Sequence, residues 1–222
     1  MKKAVFLKFT TCIFAFYGVF LSLLTAQKEG YSPPFSRLLY FTAQSNLLLG
    51  GCKFAEGVLL LRKKSIGLGL FTLSFISVVA ITLTGVTFCF FLAPFSPENY
   101  APWTACNLFT HVFTPLLGAV DFFINSPFLR LSTKAVFLCL LPQAVYGVAV
   151  SLLALRGVNF GRGEPYPYFF FHYRSPAGVW GFSRVSPFYV GSGYFLLALG
   201  VFTLAVALCF RALHNKKESV KH

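Results

Sequence analysis

Two runs of polar residues interrupt an otherwise apolar chain, and both keep a helical step. Thr42, Asn46, Leu49, Lys53 and Glu56 follow one another at intervals of four and three, which places them on one face of a helix. Thr104, Asn107, His111, Thr114, Gly118, Asp121 and Asn125 keep the same alternation, and six of these seven are polar. A threonine hydroxyl attacks a carbonyl only when a neighbouring base removes its proton. Apolar surroundings favour the neutral imidazole, the form able to accept that proton. Thr42 and His111 therefore read as a candidate nucleophile and base. Asn46 and Asn107 are candidates to orient the pair or to donate to a developing oxyanion. Lys53, Glu56 and Asp121 form a second group, read first as an ion network that satisfies otherwise costly charges; a proton or ion path is the alternative.

These faces must be held by elements that tolerate them. The chain has 222 residues, 56% hydrophobic, 18% aromatic and 11% charged, with 29 Phe and a mean hydropathy of +0.70. That is the composition of a membrane protein rather than of a soluble domain. Hydrocarbon offers polar groups no partners, so both faces must look into protein or a wet cavity. Helix–helix adhesion through Thr, Asn and Gly is the plainer reading of such faces. The six cysteines lie in or beside apolar runs without metal-site spacing and read as small apolar residues; neither a metal nor another cofactor is expected.

Six spans are expected, near 4–26, 38–61, 66–92, 103–123, 134–155 and 192–210, in one all-α bundle covering 1–222. The first resembles a secretory signal, but its apolar region exceeds the ~7–15 residues of a signal core, so an uncleaved span is expected. Phe95–Pro102 is a Pro-containing connection, 156–191 is the one long loop, and Arg211–His222 is a basic tail. With both termini inside, twelve of the nineteen Lys and Arg fall on inner segments and six outside. This bias supports an N-in, C-in arrangement and accounts for most of the formal charge of +13 without a nucleic-acid partner. Counted in from the outer face, Thr42 and His111 lie at similar depth, while Lys53, Glu56 and Asp121 gather toward the inner side. Arg37, five residues before Thr42, is a candidate to hold an anionic head group at the membrane surface.

Two segments, Tyr40-Phe41-Thr42-Ala43-Gln44-Ser45-Asn46-Leu47-Leu48 and His111-Val112-Phe113-Thr114-Pro115-Leu116-Leu117, resemble the signatures of the androgen-induced membrane proteins and their bacterial multi-pass relatives. Thr84-Gly85, Pro142 with Tyr146, Arg156-Gly157 and Pro165-Tyr166-Pro167-Tyr168 agree more loosely. The resemblance implies a six-span hydrolase of fatty acid esters of hydroxy fatty acids, with Thr42 as nucleophile and His111 as its base. It also implies a membrane-lipid substrate and, for the bacterial members, the cytoplasmic membrane. Phe169-Phe170-Phe171-His172 departs from the family's shorter segment, which is expected to hold an acidic residue, and leaves substrate choice open. The alternative from another class is a non-enzymatic polytopic protein, a transporter or structural component, whose polar faces bind a solute or join helices.

Overall fold

The computed structural model describes residues 2–94, 101–161 and 163–219. Most of the connection Phe95–Pro102, the outer-loop Arg162 and the end of the basic tail lie outside them. Long helices dominate: α1 (Lys2–Ala26), α2 (Phe41–Leu61), α3 (Leu68–Leu92), α4 (Ala105–Asn125), α5 (Thr133–Leu155) and α6 (Ser192–Ser219). Among the described residues there is no strand, only an isolated bridge between Phe182 and Val190. All of these helices except α2 are long and apolar enough to cross a membrane, five in number. At 21 residues α2 has comparable length, but Gln44, Asn46, Lys53 and Glu56 lower its hydropathy. Length and composition therefore support five of the six expected spans.

The helix ends fall where local chemistry stops them. Pro34 opens a 3-10 turn over Pro34–Leu39, and Tyr40, in extended conformation, ends it and starts α2. Arg62 and Lys63 turn the chain from α2 toward α3, with Lys63 at φ 56. Two helices each contain a π-helical turn, Phe88–Leu92 at the end of α3 and Phe109–Phe113 within α4. Such turns are rare, appear mostly as single turns inside α-helices and are frequent at functional sites.

α1 packs along α2 and touches α4, while α2 and α4 flank α3, the most buried of the candidate spans. One apolar core joins Leu49, Phe75, Val79, Ile81 and Phe122 at the centre of the bundle. A second joins Tyr146 and Val150 of α5 to Phe160, Phe170 and Phe171 of the long loop, so that loop is folded onto the bundle. The end of α6 is pinned under the α4–α5 connection, where Arg211 Nε donates to Leu131 O at 3.0 Å and His214 Nε2 to Leu129 O at 2.8 Å. Phe6, Phe54, Leu116, Ile124, Val145 and Leu197 all point outward. Apolar surface of this extent on several helices suits contact with lipid.

Candidate active site

Thr42 is the second residue of α2, so its backbone N–H belongs to the helix terminus, where no intrahelical acceptor exists. Its Oγ1 lies 3.2 Å from His111 Nε2. His111 sits in the π turn of α4 and stacks on Phe88, which begins the π turn of α3, with ring centroids 4.0 Å apart. The two irregular turns thus meet at the imidazole.

The surrounding network fixes the proton positions. His111 Nδ1 lies 3.2 Å from Asn107 O and 2.9 Å from Thr110 Oγ1. The Thr110 hydroxyl donates to Cys106 O at 2.8 Å, so its oxygen accepts, and a carbonyl can do nothing else. Nδ1 must therefore carry the proton, a tautomer assigned from its partners. That leaves the Nε2 lone pair facing Thr42, whose hydroxyl donates to it. This is the arrangement a general base needs before it accepts a proton.

Tyr168, from the long loop, completes the group. Its Oη lies 3.3 Å from Thr42 Oγ1 and accepts a long hydrogen bond, 3.4 Å, from the Thr42 backbone N–H. Its ring stacks on Phe170 at 5.1 Å and meets Tyr40 edge-on at 5.4 Å.

Asn46 and Asn107 brace the site, and Asn107 also lines one of its cavities. The Asn46 amide donates to Thr42 O at 2.8 Å and to Thr110 O at 3.1 Å, tying the first turn of α2 to the π turn of α4. Both its amide hydrogens are used, which leaves none for an oxyanion. Asn107 offers His111 its backbone carbonyl, and its side-chain amide turns to Pro102 O at 2.8 Å. Arg37 pairs with Glu29 and lies over the Tyr31 ring at 4.0 Å, so its charge is already partnered by the segment between α1 and α2.

Two cavities share Thr42, His111 and Tyr168 as a common wall. One, about 650 Å³, runs between α3, α5 and α6 and is lined by Leu83, Leu140, Val148, Leu152, Phe171 and Leu199 among others. The other, about 820 Å³, is more polar and includes Tyr31, Arg37, Tyr40, Asn107 and Tyr189. Compared with protein-family models, curated proteins and solved structures, the chain matches none.

The charged group lies elsewhere. Lys53 Nζ is 2.8 Å from Asp121 and 3.1 Å from Glu56. Lys8 of α1 joins them, 2.6 Å from Glu56 and 2.9 Å from Asp121, so two cations face two carboxylates, all buried. Ser74 accepts from Lys53 at 2.9 Å, and Asn125 donates to Asp121 at 3.0 Å. Fourteen residues of α2 separate Thr42 from Glu56, roughly 21 Å of helix. Lys8 is one of the twelve basic residues counted on inner segments. Its signal was a lone lysine several residues inside an apolar run. Among the described residues no cluster of His, Cys, Asp and Glu has the arrangement to hold a metal.

Proposed function

We propose that this chain is a six-span integral membrane hydrolase of long-chain carboxylic esters, with Thr42 as nucleophile and His111 as general base. The observation that carries the reading is the Thr42 hydroxyl aimed at the unprotonated Nε2 of a buried His111, at a wall shared by two cavities. Thr42 Oγ1 attacks the ester carbonyl carbon as its proton passes to Nε2. The tetrahedral adduct collapses, and Nε2 returns the proton to the departing alkoxide. Water then attacks the acyl-threonine with the same base, releasing the carboxylic acid and restoring the Thr42 hydroxyl.

An ester held at that wall has one arm in each cavity. The apolar one suits an acyl chain. In the other, Arg37 is the group to hold an anionic head, once the Glu29 pairing is exchanged. The resemblance of the two signature segments agrees with a membrane-lipid ester substrate and a bacterial cytoplasmic membrane.

The test is labelling of membranes by a long-chain fluorophosphonate, which phosphonylates an activated hydroxyl. Thr42→Ala should abolish labelling, and His111→Ala should reduce it about as far, because a nucleophile and its base act as a unit. Labelling of well-folded Thr42→Ala protein at the parent rate would refute the proposal.

A further inference from the structure

The direction of each hydrogen bond around Thr42 has a consequence for the loop that covers it. The Thr42 hydroxyl carries one hydrogen, and His111 Nε2 takes it, since Nδ1 is already the donor to Asn107 O. The contact of 3.3 Å between Thr42 Oγ1 and Tyr168 Oη then has only one possible donor, the phenol. The Tyr168 oxygen in turn accepts from the Thr42 N–H, so the phenol is oriented from both sides and its hydrogen points at the nucleophile. Tyr168 also borders both cavities. Burial pushes its phenol above the ordinary tyrosine range, which keeps the hydrogen in place.

We propose that Tyr168 is the oxyanion donor of this site, a catalytic residue delivered by the outer loop. The inference rests on the ester-hydrolase reading above. As Thr42 Oγ1 forms its bond to the carbonyl carbon, its lone-pair density falls and it becomes a poor acceptor. The pair of electrons leaving the C=O π bond settles on the carbonyl oxygen, next to the attacking atom. The Tyr168 hydrogen shifts to that oxygen without leaving the phenol. When the C=O bond re-forms and the alcohol departs with the proton from His111, the Tyr168 hydrogen bond relaxes. Donation is therefore strongest while the charge exists, which is the condition for lowering a barrier rather than only tightening binding. Asn46 has spent both its amide hydrogens, and Asn107 gives one of its own to Pro102 O, whereas the phenol of Tyr168 is the donor in contact with Thr42 Oγ1.

The experiment compares wild type, Tyr168→Phe, Tyr166→Phe and Thr42→Ala in detergent, using a long-chain fluorophosphonate and a medium-chain p-nitrophenyl ester. Tyr168→Phe keeps the ring that stacks on Phe170 and gives up only the two long contacts with Thr42, so its thermal midpoint should stay close to that of wild type. Its kcat should fall roughly 10²- to 10³-fold with little change in KM, as for loss of one oxyanion donor, and its rate of phosphonylation should fall in parallel. Tyr166→Phe, from the same loop but outside both cavities, should react as wild type does. If Tyr168→Phe is turned over at the wild-type rate, or loses only KM, the donor assignment fails while the Thr42 mechanism stands. If wild type itself shows no Thr42-dependent labelling or turnover, the hydrolase reading fails and this inference with it.

Discussion

At the scale of single residues, the least expected finding is that Lys8 completes the buried ion group. Lys53, Glu56 and Asp121 alone would leave one negative charge in excess, and Lys8 Nζ, within 2.6 and 2.9 Å of the two carboxylates, cancels it. Removing one member of a buried pair leaves an uncompensated charge and costs about 3–5 kcal/mol. Lys8→Met should therefore destabilise the protein by about that amount in denaturant unfolding from detergent micelles. Adding Glu56→Gln restores neutrality, so the double variant should be more stable than Lys8→Met alone. A double variant as unstable as the sum of the two single changes would show that charge balance is not what Lys8 provides. The grouping of Lys53, Glu56 and Asp121 was legible because helical steps and depth align them. Lys8 was not, because a single lysine near a chain end carries no periodic signal. Tyr168 was hidden for a related reason: it reaches Thr42 across 126 positions of sequence, from a loop with no regular period.

At the scale of elements, the polar faces of α2 and α4 were readable because a 3.6-residue period leaves a mark in sequence. The π turn of α4 at His111 has no periodic signal of its own. Pro115 helps to produce it, since proline has no N–H to return to the carbonyl of His111, four residues earlier. Gly85 of α3 packs close to that carbonyl. A Cβ built on Gly85 would lie 2.8 Å from His111 O and 3.1 Å from the Pro115 ring, so the backbone of α4 would have to move. Gly85→Ala should therefore cost about 1–3 kcal/mol by overpacking. It should also slow Thr42 phosphonylation by up to about 10²-fold, because a misplacement near 1 Å is enough for that. Gly69 lies on the same helix with nothing within 4 Å of its would-be Cβ. Gly69→Ala should leave labelling unchanged and stability equal or slightly higher, since glycine within a helix is unfavourable by about 0.5–1 kcal/mol. Equal labelling rates for both variants would separate the π turn from the reactivity of Thr42.

At the scale of the whole molecule, the two polar groups lie at opposite ends of α2, and this asymmetry gives the bundle a direction. The Thr42 and His111 end is covered by the loop that carries Tyr168, Phe170 and Phe171. At the other end lie the basic turn Arg62-Lys63-Lys64, the ion group and the α6 terminus, where Lys217 donates to Phe123 O at 2.8 Å. Five helices have the length and composition to cross a membrane, and five crossings would place the two termini on opposite sides. The sixth, α2, carries its charged residues on the face that α1, α3 and α4 cover: Asn46, Lys53 and Glu56 are buried, while Leu47, Phe54 and Leu61 are exposed, and of its polar residues Gln44, in the first turn, is exposed and donates to Leu38 O. A helix whose charges are neutralised inside the bundle presents lipid with an apolar outer face. That is the argument for α2 as the sixth crossing of the proposed six-span arrangement. Removal of α1 as a signal would take Lys8 with it and leave two buried carboxylates against Lys53 alone, so the ion group favours its retention. In the proposed six-span arrangement both termini share one side, and the excess of basic residues predicts that this side is the cytoplasm. Alkaline phosphatase and a fluorescent protein fused in turn after His222 read this out, because the first is active only outside the cytoplasm and the second fluoresces only within it. The expected outcome is fluorescence without phosphatase activity. The reverse pattern would reduce the crossings to five and move either α2 or α1 out of the membrane.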